Sequence, residues 1–320
     1  MESGFSFLLG FSIGLLIYVF VVEPLWVLPV LEWMTPGILY RVKTREKLVA
    51  LSFDDGPHEV FTPEVLEILE RYGAKATFFL IGERAERRPE FVERIRAAGH
   101  EIGNHCWRDG SVLGHSRKRF AEELEWTERA VEVRTAQSGP LQTLRLRSGQ
   151  EAGPTTAHTR KKQIPNPPEC GEFGMTGKES GDALMEHYAV TAASSRRTPN
   201  GPTRKSAPTT ARSGLRFFRA PGGVAWPWQL RLARERGYTC VLGCAYPHDP
   251  MRPPVKYIRW LIEKNLRPGT IVILHDGIRD ATRSVEALPQ ILEEGTRRGL
   301  RFVSIGELVD SRGEAAGDEL

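Results

Sequence analysis

Two carboxylates side by side, Asp54 and Asp55, follow the apolar run Lys47–Phe53 and precede Gly56-Pro57. Adjacent like charges at a strand end are costly, and a bound metal ion or a shared proton is the usual relief. Asp-Asp alone reads most simply as a surface turn, so the company it keeps decides its meaning. His105 and Asp109 stand in the run His105-Cys106-Trp107-Arg108-Asp109, Arg219 heads Ala220-Pro221-Gly222-Gly223, and Leu274-His275-Asp276-Gly277 closes an apolar run. Carboxylates, imidazoles and a guanidinium are the groups that acid–base or metal-assisted hydrolysis uses.

The elements that must position them alternate. Lys47–Phe53 reads as a strand and Thr62–Tyr72 as a helix, followed by strand Ala76–Ile81, helix Pro89–Ala98, strand His100–Gly103 and helix Lys118–Val133. The pattern resumes with strand Arg216–Arg219, helix Trp226–Arg236, strand Tyr238–Leu242, helix Val255–Asn265, strand Thr270–Leu274, helix Ser284–Arg298 and strand Arg301–Ser304. Alternating strands and helices predict parallel βα units, with chemistry just past the C-terminal ends of strands. Too few units are present for a complete eightfold barrel.

Ser52-Phe53-Asp54-Asp55-Gly56-Pro57 resembles the first motif of the polysaccharide deacetylases, the NodB-homology or carbohydrate esterase family 4 enzymes. Gly99-His100-Glu101-Ile102-Gly103-Asn104-His105 is similar to their second motif, Arg219-Ala220-Pro221-Gly222-Gly223 to the third, and Leu274-His275-Asp276-Gly277 to the last. The resemblance covers residues 47–134 and 215–310 and implies a distorted, incomplete (β/α) barrel of the NodB type. It implies Asp54 as catalytic base, held by Arg219; Asp55 and His105 as metal ligands; and His275 as general acid. It also implies Leu274 as a wall of the acetyl pocket, with Pro221, Gly222, Trp107 and Tyr246 facing substrate.

Two departures stand out. Where the family carries a second histidine four residues after the first, this chain has Asp109, which would give a carboxylate-rich metal site of Asp55, His105 and Asp109. Zn remains the first choice there, with Mn, Co or Fe as alternatives, and His115 or His248 are the substitutes should Asp109 not serve. The fourth motif lacks its usual Trp and reads Gly243-Cys244-Ala245-Tyr246-Pro247-His248-Asp249, where Asp249 would tune His275. The reaction implied is metal-dependent hydrolysis of N-acetyl groups on an amino-sugar polysaccharide such as a chitooligosaccharide or peptidoglycan-like glycan, its oxyanion leaning on the metal and on a backbone N–H after the second motif. A catalytically silent glycan-binding domain and a hydrolase of a non-sugar C–N bond are the alternatives.

Phe5–Val22 is eighteen residues without a charge, about the minimum for a membrane span. With the apolar stretch after it and Trp26, Trp33 and Tyr40 at interfacial level, residues 1–34 are expected to be a membrane anchor. Lys and Arg follow the run rather than precede it, which favours a cytoplasmic domain, whereas the exported glycans of the family favour an extracytoplasmic one; the latter is preferred. Residues 135–214 carry eleven Lys/Arg against six Asp/Glu, leaving 33 against 34 elsewhere, so the net +4 belongs to that segment. It has eight Pro, nine Gly and two aromatics, Phe173 and Tyr188, a composition expected to be a disordered insertion between the two parts of the domain, 35–134 and 215–310. Without aromatic interleaving or a binding motif it indicates no nucleic-acid partner. The four cysteines form no CxxC pair or framework, nothing identifies a protein partner, and 311–320 reads as a tail.

Overall fold

A computed structural model describes residues 27–132 and 215–314. The run Phe5–Val22, the segment 135–214 and residues 315–320 lie outside them. Among the described residues no helix is long and apolar enough to cross a membrane.

The elements are α1 (Leu28–Met34), β1 (Ile38–Leu39), β2 (Leu48–Gly56), α2 (Phe61–Arg71), β3 (Ala76–Leu80), α3 (Gly82–Arg87), α4 (Pro89–Ala97), β4 (Glu101–Asn104) and α5 (Arg117–Glu132). Then come β5 (Phe217–Phe218), α6 (Pro227–Glu235), β6 (Thr239–Val241), α7 (Val255–Asn265), β7 (Ile271–His275), α8 (Thr282–Arg297), β8 (Arg301–Val303) and α9 (Ile305–Glu314). The strands form one α/β sheet in the order β1-β6-β5-β4-β3-β2-β7, with β8 also on β2. Every strand pair is parallel. Beyond β6 the chain bridges to β7, Ala245 opposite Val272, so the two ends of the path approach each other.

β2 pairs with β3, β7 and β8, and eight of its nine residues are buried, which suits a strand covered on both sides. Val49, Leu51 and Phe53 face the helices with Phe78, Leu274 and Leu292, while Ala50 faces a second cluster with Phe79, Phe217, Ile271 and Val303. The strand's alternation therefore puts Ser52 and Asp54 on the Ala50 side.

Two boundaries and one residue differ from the sequence expectation. Residues 28–34, assigned to the anchor, form α1, whose Leu28 packs against Tyr40 and Cys244 of the domain. Tyr40 is buried and shares a 2.8 Å hydrogen bond with Thr35, so it is no interfacial residue. At the other end α9 carries the domain beyond 310, because Ile305 and Leu308 are three residues apart and both fully buried.

Candidate active site

The register of β2 changes between Asp54, opposite Phe79, and Gly56, opposite Leu80. Asp55 is the extra residue, with φ 67°. Such a bulge re-aims side chains next to active sites, and here it separates two carboxylates that a regular strand would hold in sequence. The turn accepts no larger residue: a Cβ on Gly56 would lie 2.8 Å from an Asp276 carboxylate oxygen, and one on Gly277 would lie 1.8 Å from the Asp55 carbonyl.

Asp54 is buried and accepts a 2.6 Å hydrogen bond from Arg219 Nη1, which also donates to Ser52 Oγ at 2.9 Å. Arg219 Nε donates to the Val241 carbonyl, and the guanidinium lies 4.1 Å from the centre of the Phe79 ring. The cation is thus wholly interior, partnered by one carboxylate and one π face. Phe53, Asp54 and the rest of β2 pair with β7 so that Asp54 stands opposite His275.

His275 follows from the same register. Its Nδ1 lies 2.9 Å from Asp249 Oδ1, and its backbone N–H donates to Asp249 Oδ2 at 2.8 Å, an oxygen that also accepts from Ser284 at 2.7 Å. Burial pulls the imidazole's pKa down, but the charge and hydrogen bond of Asp249, then the charges of Asp54 and Asp55, outweigh it and raise it to about 9. Tyr246 lies 5.8 Å from His275 and 4.6 Å from His248, ring centre to ring centre. The folded protein therefore holds the His275 proton more tightly than the unfolded chain does. The resulting stability, up to about 3 kcal/mol, is complete below pH ~6.5 and lost as pH rises to ~9. In metal-stripped protein, thermal melts between those pH values should show a larger decline for the wild type than for His275→Asn; parallel curves would refute the assignment.

His105 enters at the end of β4, its N–H on the Leu80 carbonyl at 3.1 Å. Its Nδ1 is 2.8 Å from the Arg219 carbonyl, which can only accept, so Nδ1 carries the proton. Nε2 then faces Asp55 Oδ1 at 3.2 Å. A bare ring nitrogen this close to a carboxylate needs positive charge between them, a proton or a cation, and a ligating imidazole steadied through its other nitrogen is the usual form of a metal donor. Asp55 is held ready: burial raises its carboxyl, yet His105, His275 and Arg84 outweigh that and lower it to about 2. Asp55 and His105 fit a divalent cation.

Asp109 does not join them. Its carboxylate lies 2.8 Å from Arg84 Nη2 and is half exposed. Neither substitute fills the place: His115 lies 3.9 Å from Glu123, and His248 packs on Tyr246. Among the described residues no group of three or more His, Cys, Asp or Glu is gathered that could hold a metal. The N–H of Cys106, first in line after the second motif to support an oxyanion, is already given to Asn104 Oδ1 at 2.9 Å.

The substrate-facing residues divide. Pro221 and Gly222 form a tight turn directly after Arg219, with Gly222 at φ 67°. Trp107 packs edge-on to Trp126 and against Gly82. Leu274 is corrected: it is fully buried in the helix-side core. Alternation along β7 puts Ile273, 8% exposed, on the His275 side, and a period-two count back from His275 finds it in the sequence. Asp276 is fully buried, accepting from Thr62, and burial chiefly raises its carboxyl to about 7.

The sequence profile described as "Polysaccharide deacetylase" matches residues 41–165. A chitooligosaccharide deacetylase of Sinorhizobium fredii is 40% identical over 229 residues, 72% of this chain and 72% of that protein. A peptidoglycan-N-acetylglucosamine deacetylase of Bacillus cereus is 28% identical over 277 residues, 86% of this chain and 94% of that protein. Among solved structures, the Bc1960 peptidoglycan N-acetylglucosamine deacetylase superposes with a TM-score of 0.58 at 22% identity, covering 87% of this chain and 96% of that one. A family 4 pseudoenzyme from Bacillus anthracis superposes equally, TM-score 0.58 at 19% identity, over 86% of this chain and 70% of that one.

Proposed function

Because this chain belongs to the polysaccharide deacetylase family, we propose that it hydrolyses the N-acetyl amides of an amino-sugar polysaccharide, releasing acetate and a free amine, with a divalent metal at Asp55 and His105. The observation that carries the reading is the pairing of two preset groups across β2 and β7: Asp54 under Arg219, and His275 on Asp249. A divalent cation between Asp55 and His105 would supply Lewis acidity toward the amide carbonyl. Asp54, held by the Arg219 guanidinium, takes a proton from the attacking water. His275, protonated at neutral pH, gives one to the departing nitrogen. Because Asp54 and His275 are register partners on neighbouring strands, both act on one reacting centre with little rearrangement.

The same reading takes β2 to β7 as the core of a distorted, incomplete (β/α) barrel, supported by the Ala245 bridge. It takes Phe5–Val22 as an anchor and the domain as extracytoplasmic, supported by the uncharged run and by the glycans named for the relatives. The second reading is a silent glycan-binding domain, favoured by one observation, the engagement of Asp109 by Arg84.

Acetate release from N-acetylglucosamine oligomers and peptidoglycan, by protein stripped of metal and resupplied with Zn, Mn or Co, decides between them. The deacetylase reading expects acetate that returns only with metal. Tight glycan binding without acetate from any substrate would establish the silent reading.

A further inference from the structure

Arg84, in the first turn of α3, is touched by three motif loops at once. Its Nη1 donates to the Asp55 carbonyl at 2.5 Å and to the Gly277 carbonyl at 2.6 Å, and its Nη2 to Asp109 Oδ2 at 2.8 Å. The first carbonyl ends β2 and the second follows β7, the strands that carry Asp54 and His275. Beneath them the Asp276 and Gly277 N–H groups both point to the Asp54 carbonyl at 3.2 Å, and Gly277 is packed on the Asp55 backbone. The two strand ends are therefore in direct contact, and one forked cation ties their outward carbonyls together.

The divergent Asp109 fits this arrangement. A guanidinium whose Nη1 rests on the Asp55 backbone stands beside the donors that would hold a dication, and its charge opposes that dication. A carboxylate on its outer nitrogen offsets the charge. The histidine that the family usually has at this place would offer no such counter-ion.

We propose that Arg84 is a positioning residue that holds the ends of β2 and β7 together, keeping Asp54 and His275 in register, and that Asp109 is the counter-ion of Arg84 rather than a metal donor. The kinetic part rests on the deacetylase reading. A lysine at 84 keeps the charge but has one nitrogen, which cannot serve two carbonyls and a carboxylate in the fork geometry of arginine.

The test compares wild type, Arg84→Gln, Arg84→Lys and Asp109→Asn in the full chain. Arg84 is about a quarter exposed, and thermal melts check that each variant is folded. Expected for Arg84→Gln is a tenfold to hundredfold fall in kcat, roughly the cost of a misplaced catalytic group, with KM changed less than about threefold, and partial recovery in Arg84→Lys. Amide hydrogen exchange at Asp276 and Gly277 should quicken about tenfold in Arg84→Gln. Calorimetric titration of metal-stripped Asp109→Asn with Zn should give an affinity within about threefold of wild type.

Unchanged exchange and unchanged kcat in Arg84→Gln would overturn the positioning role. A tenfold or greater loss of Zn affinity in Asp109→Asn would overturn the counter-ion role and restore Asp109 as a ligand. If the wild type releases no acetate, the deacetylase reading falls, while exchange and Zn titration still decide the roles of Arg84 and Asp109.

Discussion

Asp54→Asn should lower kcat for acetate release by about a thousandfold, with little change in KM, because general-base catalysis is typically worth a hundred to ten thousand. It should also weaken the fold. Arg219 is 98% buried and Asp54 is the one carboxylate paired with it among the described residues, so removing that charge leaves an interior cation uncompensated, a loss of about 3–5 kcal/mol when a buried pair is broken. Asparagine can still accept the Nη1 hydrogen, which places the cost toward the lower end. Urea titration reads the stability and an acetate assay the rate. A double variant, Asp54→Leu with Arg219→Met, separates the two effects, since apolar residues of similar volume often replace a buried pair without loss. It should regain stability and remain inactive. Acetate release within tenfold of wild type in Asp54→Asn would remove Asp54 as the base.

Asp249→Asn should move the alkaline limb of the pH–rate profile. Asp249 raises His275 both through its charge and through a hydrogen bond, against a burial effect that lowers it. With the charge gone, burial prevails, and the imidazole should titrate near or below its ordinary 6.5 instead of about 9. A general acid must be protonated, so at pH 8 kcat should fall about tenfold to thirtyfold and recover as the pH is lowered toward 6. The direction is what matters. A profile displaced to higher pH, or not displaced, would show that another group sets the protonation of His275. His275→Asn should lack this limb altogether and be slow at every pH.

Much of this was legible in the sequence because strand-end motifs carry both their residues and their position. Asp54, Arg219, Asp249 and His275 come together as two polar pairs in the way their motifs imply, Asp54, Arg219 and His275 at the ends of strands whose apolar runs announced them and Asp249 in the loop after β6. Leu274 was misplaced by a single residue, since an apolar run buried on both faces shows no alternation and gives no face to count from; only His275 fixes the parity. Arg84 was invisible for a different reason. It sits among Glu83, Arg87 and Arg88 in a charged stretch that reads as a solvated helix, and its partner Gly277 is 193 residues away. The left-handed bulge at Asp55 left only a weak trace, because aspartate tolerates positive φ better than most residues but Asp-Asp-Gly-Pro reads equally well as a turn that follows the strand. Asp109 could be read as a ligand only while Arg84 was out of view.

The ordering of the strands has a kinetic side. β4 and β5 are neighbours in the sheet, Asn104 opposite Phe218, and the His105–Arg219 hydrogen bond joins residues 114 positions apart. Contacts of such long range slow folding, because chain entropy must be given up before the pairing returns anything. β2, β3 and β4 can assemble from nearby residues with α2, α4 and their own apolar faces. Asp54 and His105 are then in place without Arg219, and the carboxylate waits for its cation until the distant segment docks. In such an order of assembly, docking of the distant segment is the event that brings Asp54 its counter-ion.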